Sequence, residues 1–141
     1  MKKLLYPALA CLVLATACKK KDESPATMQF SATMSGTNEV PAVTSSATGN
    51  VTGTYDPSTK VLTYTVTYSG LTPTAGHFHN GAVGATGPVA VTFTDVSKSP
   101  FTGSYTLTQA QADALLAGNF YANLHTSANA GGEIRANVLP K

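Results

Sequence analysis

The sequence predicts an all-β domain, a Greek-key-like antiparallel β-sandwich with one short helix. Three observations carry that expectation. Apolar and polar residues alternate with period two over most of the chain from Met28 onward, the pattern of strands with one buried face. Threonine, a β-branched residue suited to a pleated surface, fills much of the polar phase. Turn-forming residues interrupt the alternation at short intervals, and a single segment switches to a helical start signal. No internal repeat is evident.

The chain opens with a segment of different character. Lys2 and Lys3 precede an apolar run from Leu4 to Val13, which is too short to span a bilayer and suits a secretory signal. Leu14-Ala15-Thr16-Ala17-Cys18 resembles the bacterial lipobox, whose cysteine receives a diacylglycerol thioether and becomes the mature N-terminus. Residues 1–17 are therefore expected to be a lipoprotein signal peptide and Cys18 a lipid anchor. The protein is then placed at the cell envelope, on the outer membrane, with the membrane as a partner through the lipid. Residues 18–27 read as a flexible tether, because Lys19, Lys20, Lys21, Asp22, Glu23, Ser24 and Pro25 cannot bury a core. A spacer is one reading. Lys21-Asp22-Glu23 also resembles the surface-export signals of Bacteroidetes lipoproteins, and the two are compatible.

Residues 28–141 form the expected folded domain. Phe30, Ala32 and Met34 make the first apolar set, followed by Val51, Gly53 and Tyr55 and then by Leu62, Tyr64, Val66 and Tyr68. Val89, Val91 and Phe93 continue the pattern, as do Phe101, Tyr105 and Leu107. Asp56-Pro57-Ser58 suits a type I turn, and Ser69-Gly70 with Thr72-Pro73 ends another strand. Thr108-Gln109-Ala110-Gln111 has capping-box form, and Gly118 is a C-terminal stop. A helix over residues 109–117 follows, with Leu115 and Leu116 expected to cover an end of the sheets.

Composition excludes several functions. The formal charge is +2, but Lys2 and Lys3 lie in the leader and the remaining charges balance. Such a domain has no electrostatic footprint for nucleic acid. Cys11 lies in the apolar leader and Cys18 takes the lipid, so the domain has no disulfide, no cysteine-ligated zinc and no cysteine nucleophile.

The three histidines stand out in so plain a sequence. His77 and His79 flank Phe78, and i, i+2 spacing on a strand puts both rings on one face. Phe120, Ala122 and Leu124 are the apolar phase of a later strand, leaving Tyr121, Asn123 and His125 opposite. Ile134, Ala136 and Val138 likewise leave Glu133, Arg135 and Asn137 on the other face. If these strands are neighbours, the polar residues form one patch. A terminal hairpin pairing Tyr121 with Asn137 and Asn123 with Arg135 would set His125 against Glu133. Two readings compete. The histidines suit copper or zinc, with Glu133 as fourth ligand or outer partner. Alternatively, the patch is a polar lattice that satisfies a partly covered sheet face.

Glu39 lies in a Gly/Asn/Pro-rich turn, where a structural hydrogen bond to backbone amides is the expected role. Asp56, Asp95 and Asp113 read as turn or surface residues. The sequence shows no Ser/His/Asp order, nucleophile elbow or phosphate-binding loop. The glycines at 81, 84 and 87 precede no helix start.

At Phe30-Ser-Ala-Thr-Met-Ser-Gly-Thr-Asn-Glu-Val-Pro41, Leu62-Thr-Tyr-Thr-Val66, Ala75-Gly-His-Phe-His79, Tyr121-Ala-Asn-Leu-His-Thr126 and Gly131-Gly-Glu-Ile-Arg135 the chain resembles the CHRD domain. This module is named after chordin and is widespread in bacterial secreted proteins. Asn80 departs from the family pattern, which often has Gly after the second histidine. The resemblance implies an extracellular β-sandwich, and the chordin-type setting implies protein binding. Gly76-His77-Phe78-His79 is also similar to the copper-site strand of Cu/Zn superoxide dismutases. Those enzymes use more histidines, a zinc aspartate and a disulfide, so dismutase activity is not implied. The expected function is a non-enzymatic binding module for a protein, glycan or metal ion. The alternative is a small copper or zinc protein or metalloenzyme using His77, His79 and His125.

Overall fold

A computed structural model describes residues 25–141. Cys18, the signal peptide and most of the tether lie outside them. Eight strands, one α-helix and a single 3-10 turn (Gly36–Asn38, after β1) make up the domain: β1 (Met28–Ser35), β2 (Thr48–Asp56), β3 (Val61–Ser69), β4 (Ala75–Asn80), β5 (Val89–Thr92), β6 (Phe101–Thr106), α1 (Gln109–Leu116), β7 (Phe120–His125) and β8 (Ile134–Val138). The all-β class with one short helix is as the sequence predicts. All strand pairs are antiparallel, in the order β5-β4-β7-β8-β1-β2-β3-β6.

The sheet turns at the β8–β1 seam, where Ser35 pairs with Arg135. Its two halves, β1-β2-β3-β6 and β5-β4-β7-β8, face each other across one core. Aromatic rings bridge the gap: Tyr64 of β3 lies 5.1 Å from Phe78 of β4, edge to face, and both lie 5.0 Å from Phe93. Offset and edge contacts of this kind add to the area that the rings bury. Met34, Val51, Leu62 and Val66 from one half meet Ala122, Leu124, Ile134 and Ala136 from the other, all fully buried.

Alternation accounts for most of this. In β3, Leu62, Tyr64 and Val66 are buried while Thr63 and Thr67 are exposed. It weakens at the two sheet edges. Val89 in β5 and Tyr105 in β6 are 51% and 42% exposed, against the expected apolar phase. Each strand has a partner on one side only, and the β4–β5 register shifts at Phe78/His79. Asp56 turns the chain as expected, its Oδ1 accepting from the Ser58 N–H at 2.8 Å.

The helix starts where the capping box places it. Thr108 Oγ1 accepts from the Gln111 N–H, and Gln111 Oε1 accepts from the Thr108 N–H at 2.9 Å. The same Gln111 amide donates to the Ala90 carbonyl of edge strand β5 at 2.8 Å. The helix ends one residue earlier than expected, with Gly118 at φ +75° beyond it. The expectation for Leu116 needs correction: Leu115 is buried but Leu116 is 47% exposed. Adjacent residues on a helix point ~100° apart, and this short helix rests on a narrow stripe that takes Leu115 and leaves Leu116 at its edge. Ala112, three residues before Leu115, completes the buried stripe instead.

Candidate metal centre

Strands β4, β7 and β8 lie side by side, which brings the polar phase of all three onto one face. His77 pairs with Asn123 and Asn123 with Arg135, while His79 pairs with Tyr121 and Tyr121 with Asn137. The terminal hairpin therefore has the register read from the sequence, although its ladder stops at Leu124↔Ile134. His125 is the last residue of β7 and pairs with Ala75 of β4. The face is not open. Loops fold over it, so His79, Asn123 and Arg135 are buried, and all of β7 but His125 is buried on both sides.

His77, His79 and His125 converge, each with one ligand nitrogen within 4.8 Å of the others. In a tetrahedral zinc site with Zn–N bonds of ~2.05 Å, ligand nitrogens stand about 3.3 Å apart. The cluster is thus within about 1.5 Å of that geometry at its widest. Two rings are oriented by backbone. His79 Nδ1 donates to the Gly87 carbonyl and His125 Nδ1 to the Ala130 carbonyl, both at 2.9 Å. A carbonyl only accepts, so each ring carries a proton on Nδ1, and the neutral form of either ring has its lone pair on Nε2. This is the outer hydrogen bond that fixes the tautomer of ligating histidines. His77 Nδ1 lies 2.9 Å from His125 Nε2 and donates to it. His79 Nε2 is buried and has no partner.

Burial holds the His77 and His79 imidazoles below their ordinary pKa. The neighbouring imidazoles add to this at His77, whereas at His79 the Gly87 hydrogen bond opposes it. Both rings are neutral near neutral pH, the form that binds a metal.

Glu133 does not join them. Its carboxylate accepts from Ser45 Oγ, Thr126 Oγ1 and Asn129 Nδ2. Those bonds, with Ser45 the strongest cause, hold its pKa below the usual carboxylate range. The structure thus brings together the three histidines and sets Glu133 on the loops beside them. Among the described residues, no carboxylate belongs to the cluster.

A second buried layer lies behind His79. Arg135, 1% exposed, stands 3.4 Å over the Tyr121 ring, and Tyr121 in turn stacks on His79 at 4.8 Å and 1°. Glu39 is also buried, near the Arg135 charge, the Asn123 amide and the Val40 N–H. Burial is the largest influence on it and pushes its carboxyl up to about 7. Burial among charged and amide groups, rather than the expected bonding to backbone amides, dominates its surroundings. Gly132 covers this layer at φ +139°, where a Cβ would collide with Glu39 Oε1 and crowd Asn123 Nδ2. Four of the unpartnered buried atoms among the described residues cluster here: Glu39 Oε1, His79 Nε2, Asn123 Oδ1 and Arg135 Nε.

Sequence reasoning missed the loop over residues 81–87. Gly87 supplies the carbonyl that orients His79, and its N–H donates to Tyr121 Oη at 3.2 Å. Ala85 and Ala82 supply carbonyls to Arg135. Backbone acceptors leave no mark on side-chain patterns. The only signal was Gly87 itself, where any Cβ would collide with the Asn80 carbonyl.

No curated protein and no solved structure matches this chain. A family model does. Its span of residues 30–138 takes in all three histidines, Glu39, Glu133 and Arg135. By that match the chain belongs to the CHRD domain family, as a small β domain of extracellular type.

Proposed function

We propose that the protein is a lipid-anchored, non-enzymatic binding module of the cell envelope that holds one zinc or copper ion on His77, His79 and His125. The observation that carries this reading is the buried, unpartnered Nε2 of His79, on a ring that offers a ligand nitrogen within 4.8 Å of those on the other two. Buried polar atoms normally have a partner, and each exception calls for one. A polar lattice satisfies His77 and His125 through their mutual bond and offers His79 only the neighbouring Asn123 side chain, with which Nε2 makes no hydrogen bond.

Three imidazoles suit borderline ions such as zinc and copper rather than calcium or magnesium, which prefer oxygen. Taking up an ion moves the His77 proton to Nε2 and frees Nδ1, so the ring stays neutral. Three protein ligands leave a fourth position for water or for a side chain of a protein or glycan-bearing partner. Among the described residues no carboxylate belongs to the cluster, and we read the open position as a docking point for a partner's ligand group. Anchoring rests on Leu14 to Cys18 and on the basic and apolar leader before it.

Equilibrium dialysis of the purified protein against zinc and copper tests the reading. One ion per chain is expected, lost in His79→Ala and reduced in His77→Ala and His125→Ala. Binding that survives His79→Ala unchanged rejects the assignment.

A further inference from the structure

His79 is the best buried of the three histidines, and two residues that do not belong to the histidine cluster enclose it. Tyr121 occupies the middle strand of β4-β7-β8, with His79 on one neighbour and Arg135 on the other. The ring separation of 4.8 Å matches the spacing of adjacent strands. The Arg135 Cζ lies 3.4 Å over the Tyr121 ring, and that ring stacks on the imidazole at 1°.

Arg135 reaches His79 by a second route. Its Nη2 donates to the Ala85 carbonyl at 2.8 Å and to the Ala82 carbonyl at 3.4 Å, which ties down the loop over residues 81–87. That loop carries Gly87, whose carbonyl takes the His79 Nδ1 proton and whose N–H donates to Tyr121 Oη. Stack and loop close on the same imidazole. Arg135 is the only arginine in the chain. Burying it without a bonded carboxylate is costly unless its planar fork does something a smaller apolar group could not.

We propose that Arg135 and Tyr121 are positioning residues of the three-histidine centre, holding His79 in the Nδ1–H tautomer with Nε2 turned toward the other two rings. The inference rests on the proposed ion site for its consequence in affinity. The orientation of His79 is a property of the ion-free protein and is measurable without the ion.

The test uses the full chain, solubilised in detergent and labelled with ¹⁵N-histidine; the presence of only three histidines keeps assignment simple. Long-range ¹H–¹⁵N correlation reads the tautomer, and competition with a zinc indicator reads affinity. The wild type should show His79 as a single Nδ1–H tautomer. Tyr121→Leu and Arg135→Met should show a tautomer mixture and ~10- to 100-fold weaker zinc binding, the usual effect of losing an outer partner. Arg135→Lys should not rescue, because an ammonium cannot stack or bridge two carbonyls as a fork does. Tyr121→Phe removes only the hydroxyl, so it keeps the fold and decides the matter if Arg135→Met does not fold. It should loosen the tautomer and weaken zinc a few-fold. Variants that melt at lower temperature yet keep the wild-type tautomer and affinity would show a merely structural role and overturn the proposal. A wild type with the single tautomer but no zinc or copper binding would remove the ion site and leave the positioning of His79 standing.

Discussion

Replacing Glu39 by glutamine probes the buried layer behind the histidines through the pH dependence of stability. Burial raises the Glu39 carboxyl from 4.5 to about 7, against the pull of Arg135. Between those two pH values the folded chain keeps a proton that the unfolded chain releases. Stability therefore falls as pH rises. Below about pH 4 both states are protonated and Glu39 has no pH effect, and above about pH 7.5 both are ionised and the loss is complete. At ~1.4 kcal/mol per pH unit, the interval from 4.5 to about 7 amounts to about 3 kcal/mol. Glutamine does not titrate, and the other groups titrate in both proteins and cancel in the difference. The gap between Glu39→Gln and wild type should move by about 3 kcal/mol in favour of the variant from pH 4 to pH 8. Urea denaturation across that range measures it. A gap that moves the other way would mean that Arg135 ionises Glu39 despite burial, and the reasoning would be refuted.

Other consequences follow from single residues. Leu115→Ala should cost ~2–5 kcal/mol through lost burial and the cavity left behind, whereas Leu116→Ala should stay within ~0.5 kcal/mol; equal melting of the two would place the helix off the core. Gly132→Ala forces a side chain against Glu39 at a positive φ, so a loss of ~1–3 kcal/mol is expected in thermal melts, the range for a strained backbone position. Cys18→Ala should release the protein from membranes or stall its processing, because acyl chains are worth ~0.8 kcal/mol per buried CH₂ and the uncharged domain adds little. Correctly cleaved variant that still fractionates with membranes would reject the anchor.

The alternation of Leu62, Tyr64 and Val66 with threonine was enough to orient β3, and the Thr108–Gln111 box located the helix start to the residue. The hairpin register was legible because a one-residue slip would have mixed the faces of Leu124 and Ile134 with those of Asn123 and Arg135. Period two separates two faces but does not say whether the second is covered. It therefore placed His77, His79 and His125 on non-core faces, one patch only if their strands were neighbours, without showing that Tyr121, Asn123 and Arg135 are buried. The carbonyls of Gly87 and Ala130 are main-chain atoms with no sequence signature. Glu133 was misdirected for a related reason. Its backbone follows the hairpin, but its side chain belongs to Ser45, Thr126 and Asn129 on loops whose paths alternation does not describe. Leu116 failed because the buried stripe of the helix is only as wide as Ala112 and Leu115, a width that the sequence pattern does not give.

X-ray absorption at the metal edge of the zinc- or copper-loaded protein tests the central claim most directly. The account expects three imidazole nitrogens at ~2.0–2.1 Å and one further light atom, with one imidazole lost from the spectrum in His125→Ala. A bound ion with an oxygen-dominated shell, or a spectrum that His125→Ala leaves unchanged, would contradict it.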